Sequence, residues 1–405
     1  MSHLHDVAII GAGPGGSAAA HYLARQGLDV LLLDKADFPR DKTCGDGLTP
    51  RALHVLDDMG ILAEAQAAGF RANGLELHAK SGAVMAARIP NHPEYPNYLL
   101  IVPRMQLDDI IRRRALESGA RFESPVRVRG LVNGPDAVEV QAEQGGRRIG
   151  YRARVAILSI GANMRLLQEI GLLKRTPSPI LAARAYYENI DGLSDMVQAH
   201  FADVPLPGYG WVFPISETAA NIGVGYWRSP IFLRKPPASL RGALDTFLGS
   251  PKMKQLLAGA KLAGSVKSYP LRTDFASAQT FGERVLLVGE SAGLVSPLTG
   301  EGIDFALESG QLAAGFLAEV FARGDFSRRA FSGYDRLLRG HFQSIFRFLG
   351  YVRNLYVNPL LMHRTIGIAE KRAELKRLFV GVLMGQQHPA EMLTLRTLRS
   401  VLLDI

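Results

Sequence analysis

The sequence predicts a mixed α/β fold. A body built on a parallel sheet carries an inserted antiparallel sheet, and a helical region ends the chain. Three observations predict this. Val/Ile-rich runs alternate with a helical segment near the N-terminus, short apolar runs with turn signals crowd the middle, and a basic, helix-patterned stretch closes the sequence. The 405 residues leave room for two or three domains of about 150 each. A chain of this size buries roughly three quarters of its unfolded surface without crosslinks.

Asp6 to Ile10 is a short run of buried-strand type. Glycines follow, then a helix from Gly15 to Gln26 that Gly27 closes, then a second apolar strand from Val30 to Leu33. The short crossover implies parallel pairing. Pro50 to Met59 and Arg104 to Ser118 read as helices, and Glu139 to Gln144 and Arg152 to Leu158 as strands about the Gly145-Gly146 turn. Between Ile180 and Ser265 the pattern is strand-rich, with a hairpin at Trp211 to Ile215 and Asn221 to Tyr226. Arg284 to Val288 is another strand, and Asp304 to Arg323 a helix. The expected organisation is a discontinuous Rossmann-type nucleotide body (1–75, 100–175 and 266–335), an antiparallel-sheet substrate domain (76–99 and 176–265) and a helical basic region (336–405).

Composition narrows the function. Hydrophobic residues are 47% and charged residues 21%, the balance of a globular protein rather than a disordered one. The net charge of +9 points to an anionic partner: a nucleotide, a nucleic acid or a membrane surface. Cys44 is the one cysteine, which excludes an intrachain disulfide, a cysteine-ligated iron–sulfur cluster and a cysteine-built zinc site. It also points to a reducing compartment. No signal peptide and no run of 18 apolar residues is visible, so a cytoplasmic protein, soluble or peripheral at a membrane, is expected. No nucleic-acid motif accompanies the basic residues, which disfavours a nucleic-acid partner. The sequence leaves the oligomeric state open.

Gly11-Ala12-Gly13-Pro14-Gly15-Gly16 fits the pattern G-x-G-x-x-G, and it follows a strand and opens a helix. Gly11 permits the tight turn, Gly13 leaves room for a pyrophosphate, and Gly16 lets helix and strand pack closely. The helix N-terminus adds unpaired N–H groups and a favourable dipole. Asp34 ends the second strand at the spacing of an acid that binds a ribose hydroxyl, and Lys35 follows it. The fingerprint does not separate FAD from NAD. A second glycine-rich segment after a strand, Gly289-Glu290-Ser291-Ala292-Gly293 continuing to Gly300-Glu301-Gly302-Ile303, suits the ribityl chain and ring of an extended FAD. A plain strand-to-helix turn is the other reading of it. No second G-x-G-x-x-G follows a strand, so the external reductant stays open between NAD(P)H and ferredoxin.

Four segments together resemble the geranylgeranyl reductase family, on the FAD-containing fold shared with p-hydroxybenzoate hydroxylase. They are the fingerprint, Phe38-Pro39-Arg40-Asp41-Lys42 with Cys44-Gly45-Asp46-Gly47-Leu48-Thr49-Pro50, Pro207-Gly208-Tyr209-Gly210-Trp211-Val212-Phe213-Pro214, and the Gly289 to Ile303 loop. The Cys-Gly-Asp-Gly and Tyr-x-Trp-x-Phe-Pro elements are the specific ones. Menaquinone-chain and archaeal lipid reductases look closest. The resemblance implies saturation of C=C bonds in a polyprenyl chain by reduced FAD. It implies cofactor contacts from Gly11, Gly13, Gly15, Gly16, Asp34, Lys35, Cys44, Gly45, Arg104, Gly289, Glu290, Gly300, Gly302 and Ile303. Two positions depart from the family: Glu290 stands where Asp is usual, and Ile160 replaces an acid in Ser159-Ile160-Gly161.

Cys44 and Asp46 are the candidate catalytic residues. By the resemblance their loop faces the flavin, where Cys44 would position the alkene or relay a proton and Asp46 would serve as an alternative acid. An inert buried thiol is the competing reading of Cys44. Tyr209, Trp211 and Phe213 alternate along a strand and so share one face, with Gly223 and Gly225 leaving space beside them. Either they wall a substrate site or they are sheet core. From Phe342 onward Arg347, Arg353, Arg364, Lys371, Arg372, Lys376, Arg377, Arg396 and Arg399 oppose Glu370, Glu374, Glu391 and Asp404, so this stretch holds +5 of the +9. It suits anionic lipid, or a helical lid with a solvated basic face. An FAD monooxygenase or halogenase is the alternative chemistry, although Gly210-Trp211-Val212-Phe213-Pro214 does not reproduce the halogenase G-W-x-W-x-I-P element. A flavin-binding scaffold without turnover is the third reading.

Overall fold

The computed structural model describes residues 3–227, 239–355, 367, 370, 372–388 and 391. Strand β1 (Leu4–Ile10), helix α1 (Pro14–Arg25) and strand β2 (Val30–Leu33) form the N-terminal β-α-β unit. Helices α2 (Pro50–Asp58) and α3 (Arg104–Glu117) follow, then the long strand β3 (Arg147–Leu158). β1 pairs in parallel with β2, Val7 opposite Val30, and with β3, Leu4 opposite Arg152. Val7, Ile9, Leu31, Leu33, Val155 and Ile157 are buried, the continuous apolar pattern of a sheet covered on both faces. The sheet has eight strands, and the segment Val285–Leu287 extends it in parallel beyond β3.

The second sheet holds β4 (Ile180–Glu188), β5 (Gly208–Pro214) and β6 (Ala220–Trp227). β5 and β6 form the hairpin, with Gly208 opposite Tyr226 and Pro214 opposite Ala220. Two expected bounds shift. The sheet begins at Gly74 rather than 76, because the hairpin Gly74–His78 with Val84–Arg88 joins it, and ends at Leu271 rather than 265, because Lys261–Leu271 stays paired along β4. The sheet is also not wholly antiparallel: Val197–His200 runs parallel to Gly74–His78, the join between the two segments that build it.

Helix α4 (Ile303–Arg323) crosses α1 tightly: a Cβ on Gly310 would lie 2.5 Å from the Gly15 carbonyl oxygen. Helix α5 (Arg328–Leu355) corrects the expected boundary at 336, which falls inside it. Phe331, Tyr334, Leu338 and Phe342 are fully buried in the nucleotide body, so this helix belongs to that core. Each such side chain contributes roughly 1.5–3 kcal/mol by burial. The last described helix is α6 (Ala373–Leu383). Of the basic residues expected to form a tail, Arg364, Lys371, Arg396 and Arg399, with Asp404, lie outside the described residues.

Candidate active site

One cavity of about 1270 Å³ runs through the molecule. It begins at the Gly11–Gly13 turn, passes the Cys44–Gly47 loop and the β5–β6 face, and reaches Phe379, Leu383 and Met384 at the end of α6. The interior is thus polar at one end and apolar at the other.

The polar end is built from backbone. Gly11 has φ +105°, and a Cβ there would lie 2.2 Å from the Ser159 carbonyl oxygen. On Gly16 it would lie 1.9 Å from the Gly11 carbonyl oxygen, so both positions exclude a side chain. A Cβ on Gly15 would meet Val288 at 2.8 Å and the Ala306 carbonyl oxygen at 2.9 Å. Gly13 differs: the Arg40 guanidinium, 3.5 Å away, is all that stands near its missing side chain. Gly13 caps α1 without a side-chain bond, leaving the helix N-terminus open to an anion. Asp34 accepts from Ala12 N at 2.8 Å and Ala36 N at 2.9 Å, so it first of all pins the glycine turn to β2. A carboxylate has further lone pairs, and Asp34 lines the cavity together with Lys35.

Arg40 was not among the expected site residues. Its Nη1 lies 2.9 Å from Asp108, which also receives both bonds of the buried Arg104, at 2.6 and 2.8 Å. Asp108 thereby orients one arginine to the phosphate turn and another beneath Cys44. The signal was present in the sequence as Phe38-Pro39-Arg40, but its target is set by α3, far along the chain.

The departures at 160 and 290 meet in space. Glu290 accepts from Lys42 at 3.3 Å and from Arg272 N at 3.1 Å. Its Oε2 lies 3.3 Å from where a Cβ of Gly161 would stand. The longer side chain thus carries a carboxylate to the segment where Ile160 lacks one. Ile160 packs on the core, and its N donates to Ser291 Oγ at 2.8 Å. Gly289 and Gly293 take φ of +60° and +76° about a 3-10 turn, not a direct strand-to-helix joint. Gly300 (φ +74°), Gly302 and Ile303, the first residue of α4, line the cavity beyond it.

Cys44, Gly45 and Asp46 lie where the two ends meet. Cys44 lines the cavity; burial pushes its thiol up, and Arg104 beside it pulls the other way. Asp46 is fully buried at φ +66°, a left-handed conformation that costs about 1 kcal/mol or more outside glycine. Its Oδ2 accepts from Tyr186 at 2.6 Å and from Asn221 at 2.7 Å, while its Oδ1 has no partner. Burial raises its carboxyl to about 6, and the two donors restrain that rise. Asn221 also donates to the Cys44 carbonyl at 2.7 Å and accepts from Trp211 Nε1 at 3.0 Å. Behind Tyr186, Arg184 pairs with Asp41 at 2.6 Å, and so does Lys267.

Tyr209, Trp211 and Phe213 all line the cavity, with neighbouring ring centroids 6.1 and 6.3 Å apart. Phe213 lies under the loop, 3.0 Å from where a Cβ of Gly45 would be. A Cβ on Gly223 would strike Trp211 at 2.2 Å, so that glycine seats the indole. Tyr209 donates to the Thr299 carbonyl, tying β5 to the Gly300 turn. The structure therefore places the expected site residues along one cavity, except Gly16, which packs behind the turn against Gly11. Arg40 and Lys42 join them on the wall, and Tyr186 and Asn221 stand behind it as donors to Asp46; these last two carried no sequence signal beyond being polar on a strand.

These residues fit an FAD. The uncrowded Gly13, the cations Arg40 and Lys42, and the acids Asp34 and Glu290 offer what pyrophosphate and sugar hydroxyls require.

Residues 5–178 match the FAD binding domain family model. The chain is 36% identical over 334 residues to the menaquinone reductase of Mycobacterium tuberculosis, covering 77% of this chain and 76% of that one. It is 31% identical over 355 residues to digeranylgeranylglycerophospholipid reductase 1 of Methanopyrus kandleri, covering 84% and 88%. In fold it is similar to a geranylgeranyl bacteriochlorophyll reductase-like protein of Thermoplasma acidophilum, with TM-score 0.82, 21% identity, and 96% and 98% of the two chains covered.

Proposed function

Since this chain belongs to the geranylgeranyl reductase family of FAD-dependent oxidoreductases, we propose that it saturates C=C bonds of an isoprenoid chain lying in the apolar arm of the cavity. The observation that carries this is the single cavity in which the phosphate turn, the Cys44–Gly47 loop and the Trp211 wall are continuous. Bound FAD, once reduced, supplies the hydride. Gly13, the α1 N-terminus and Arg40 hold its pyrophosphate, Asp34 and Glu290 take sugar and ribityl hydroxyls, and the Gly300–Ile303 turn flanks its ring. Tyr209, Trp211 and Phe213 wall the isoprenoid and exclude water. Asp46, tied by Tyr186 and Asn221, fixes the loop from which Cys44 and Gly45 face the alkene.

Substrate would come from a membrane. No helix among the described residues is long and apolar enough to cross one. α6 turns Phe379 and Leu383 to the cavity, and Arg377 to solvent, which suits peripheral contact with anionic lipid. Flotation with anionic vesicles at low and high salt tests that contact.

Anaerobic turnover of the FAD-loaded protein after reduction, with geranylgeranyl and menaquinone substrates, tests the reaction. A mass gain of two per reduced bond is expected. A product carrying added oxygen or halogen overturns the reading.

A further inference from the structure

The Gly300–Ile303 turn carries one side chain that the reductase reading leaves without a task. Glu301 stands between two glycines and lines the large cavity. It also lines a second cavity of about 10 Å³ behind the turn, together with Arg51, Asp304, Ser296 and Thr299. That is about the room one water needs, and the site is polar enough to hold it. The Glu301 backbone is fixed: its carbonyl accepts from Ser296 N at 2.7 Å, and its N–H donates to Thr299 Oγ1 at 3.4 Å. Its carboxyl has no hydrogen bond to any described residue.

Behind the small cavity the titratable groups continue to the surface. Asp304 accepts from Thr49 at 3.4 Å and from Phe305 N at 2.8 Å. Arg51, on α2, donates through Nε to Glu308 at 2.8 Å, and its guanidinium lies over the Phe305 ring. His341, on α5, places Nε2 3.4 Å from Glu308, with 47% of its side chain exposed. Tyr95 is the other titratable group beside Arg51, and Tyr209 faces Glu301 from β5. Gly385, after α6, closes over this row: a Cβ there would lie 2.0 Å from Arg51 Cδ. The row runs from solvent at His341, through Glu308, Asp304 and one water-sized space, to Glu301 on the cavity wall.

We propose that Glu301 is the acid that protonates the substrate, and that this row returns the proton to it from solvent. The inference rests on the reductase reading. In the step, one alkene carbon takes the hydride that reduced flavin supplies, with its two electrons. The other carbon forms a C–H bond as the Glu301 O–H bond breaks. Glu301 then regains a proton through Asp304. Asp46 suits this less well, because two donors on its Oδ2 favour the ionised form. Glu301 has no such donors; burial first, then the Asp304 charge, raise it well above the ordinary carboxyl range, against the pull of Arg51.

Glu301→Gln tests it. The expected variant keeps its flavin content and its binding of a saturated polyprenyl analogue, but loses 10²–10⁴-fold in turnover. The fall in wild-type rate as pH rises and Glu301 ionises disappears with it. An infrared band of a protonated carboxyl, measured on the flavin-free protein, vanishes in Glu301→Gln and persists in Asp46→Asn. Asp304→Asn keeps the first turnover and slows the later ones about tenfold. An active wild type with an equally active Glu301→Gln overturns the assignment of Glu301 alone. A band unchanged by Glu301→Gln overturns it too, and equal slowing of all turnovers in Asp304→Asn overturns the row. A wild type that reduces no polyprenyl chain overturns instead the reductase reading beneath it.

Discussion

The two ends of the cavity are built by opposite means. At the nucleotide end the decisive groups are missing side chains: Gly11, Gly13 and Gly16 act through backbone that α1 and β2 hold in place, all within one β-α-β unit. At the apolar end the decisive groups are side chains fetched from distant segments. Asp46 depends on Tyr186 and Asn221, 140 and 175 residues away. The first construction tolerates almost no added atoms. The second tolerates volume but not the loss of a partner, because each lost partner strands a buried polar group.

The largest expected effect breaks the nucleotide end. Gly16→Ala sets a methyl 1.9 Å from a backbone oxygen, which nothing flexible can relieve. Overpacking of this kind costs about 3 kcal/mol or more, and α1 must leave its strand. The expected protein is colourless on purification and melts lower; flavin-to-protein absorbance and thermal unfolding measure both. A yellow, stable Gly16→Ala would mean that the turn is looser than its geometry.

The next effect breaks the apolar end without touching the first. Asp46→Ala leaves the Tyr186 hydroxyl and the Asn221 amide without their acceptor. At about 1–3 kcal/mol per stranded group, roughly 2–6 kcal/mol of stability is lost, while flavin stays bound. Denaturant midpoints and flavin content measured on one sample separate the two ends.

That contrast also explains what could be read in advance. The fingerprint, the Cys44–Gly47 loop and the Tyr209–Phe213 strand are local patterns whose chemistry follows from spacing, and the cavity collects all three. Arg40 was visible within a quoted motif, but its aim is fixed by Asp108, a contact no local pattern encodes. Tyr186 and Asn221 read as ordinary strand residues until β4 and β6 pair with Tyr186 opposite Asn221. The boundary expected at 336 fails because one helix, α5, runs across it with a basic face and a core face. α5 is amphipathic, and its Phe331-to-Phe346 face is core whatever the charge opposite.

A third effect belongs to the outer face of the substrate sheet and should leave the nucleotide end unmoved. His200 is buried, stacked on His78 at 4.3 Å, and burial with the nearby His78 and Lys252 charges lowers it to about 3. The unfolded chain, with histidine near 6.5, therefore binds more protons over the interval between the two values. The contribution is complete above pH 6.5 and is lost as pH falls through that window, by about 2 kcal/mol at pH 5. Urea midpoints between pH 5 and 7.5 should show this acid limb in the wild type and a flatter one in His200→Gln.

The smallest effect is the sharpest test of the division. Phe213 is half-buried and packs beneath Gly45 and Gly47, so it touches both the reacting loop and the space assigned to the isoprenoid. As sheet core alone, Phe213→Ala would lower stability and leave kinetics intact. As a wall, it would remove apolar contact made equally to bound substrate and transition state, which raises KM and spares kcat. The expected result is a KM about tenfold higher, near 1.4 kcal/mol, with unchanged kcat and unchanged flavin content. A fall in kcat with unchanged KM would mean that the ring serves by holding the Cys44–Gly47 loop, and the boundary between the two ends would then pass through Phe213 itself.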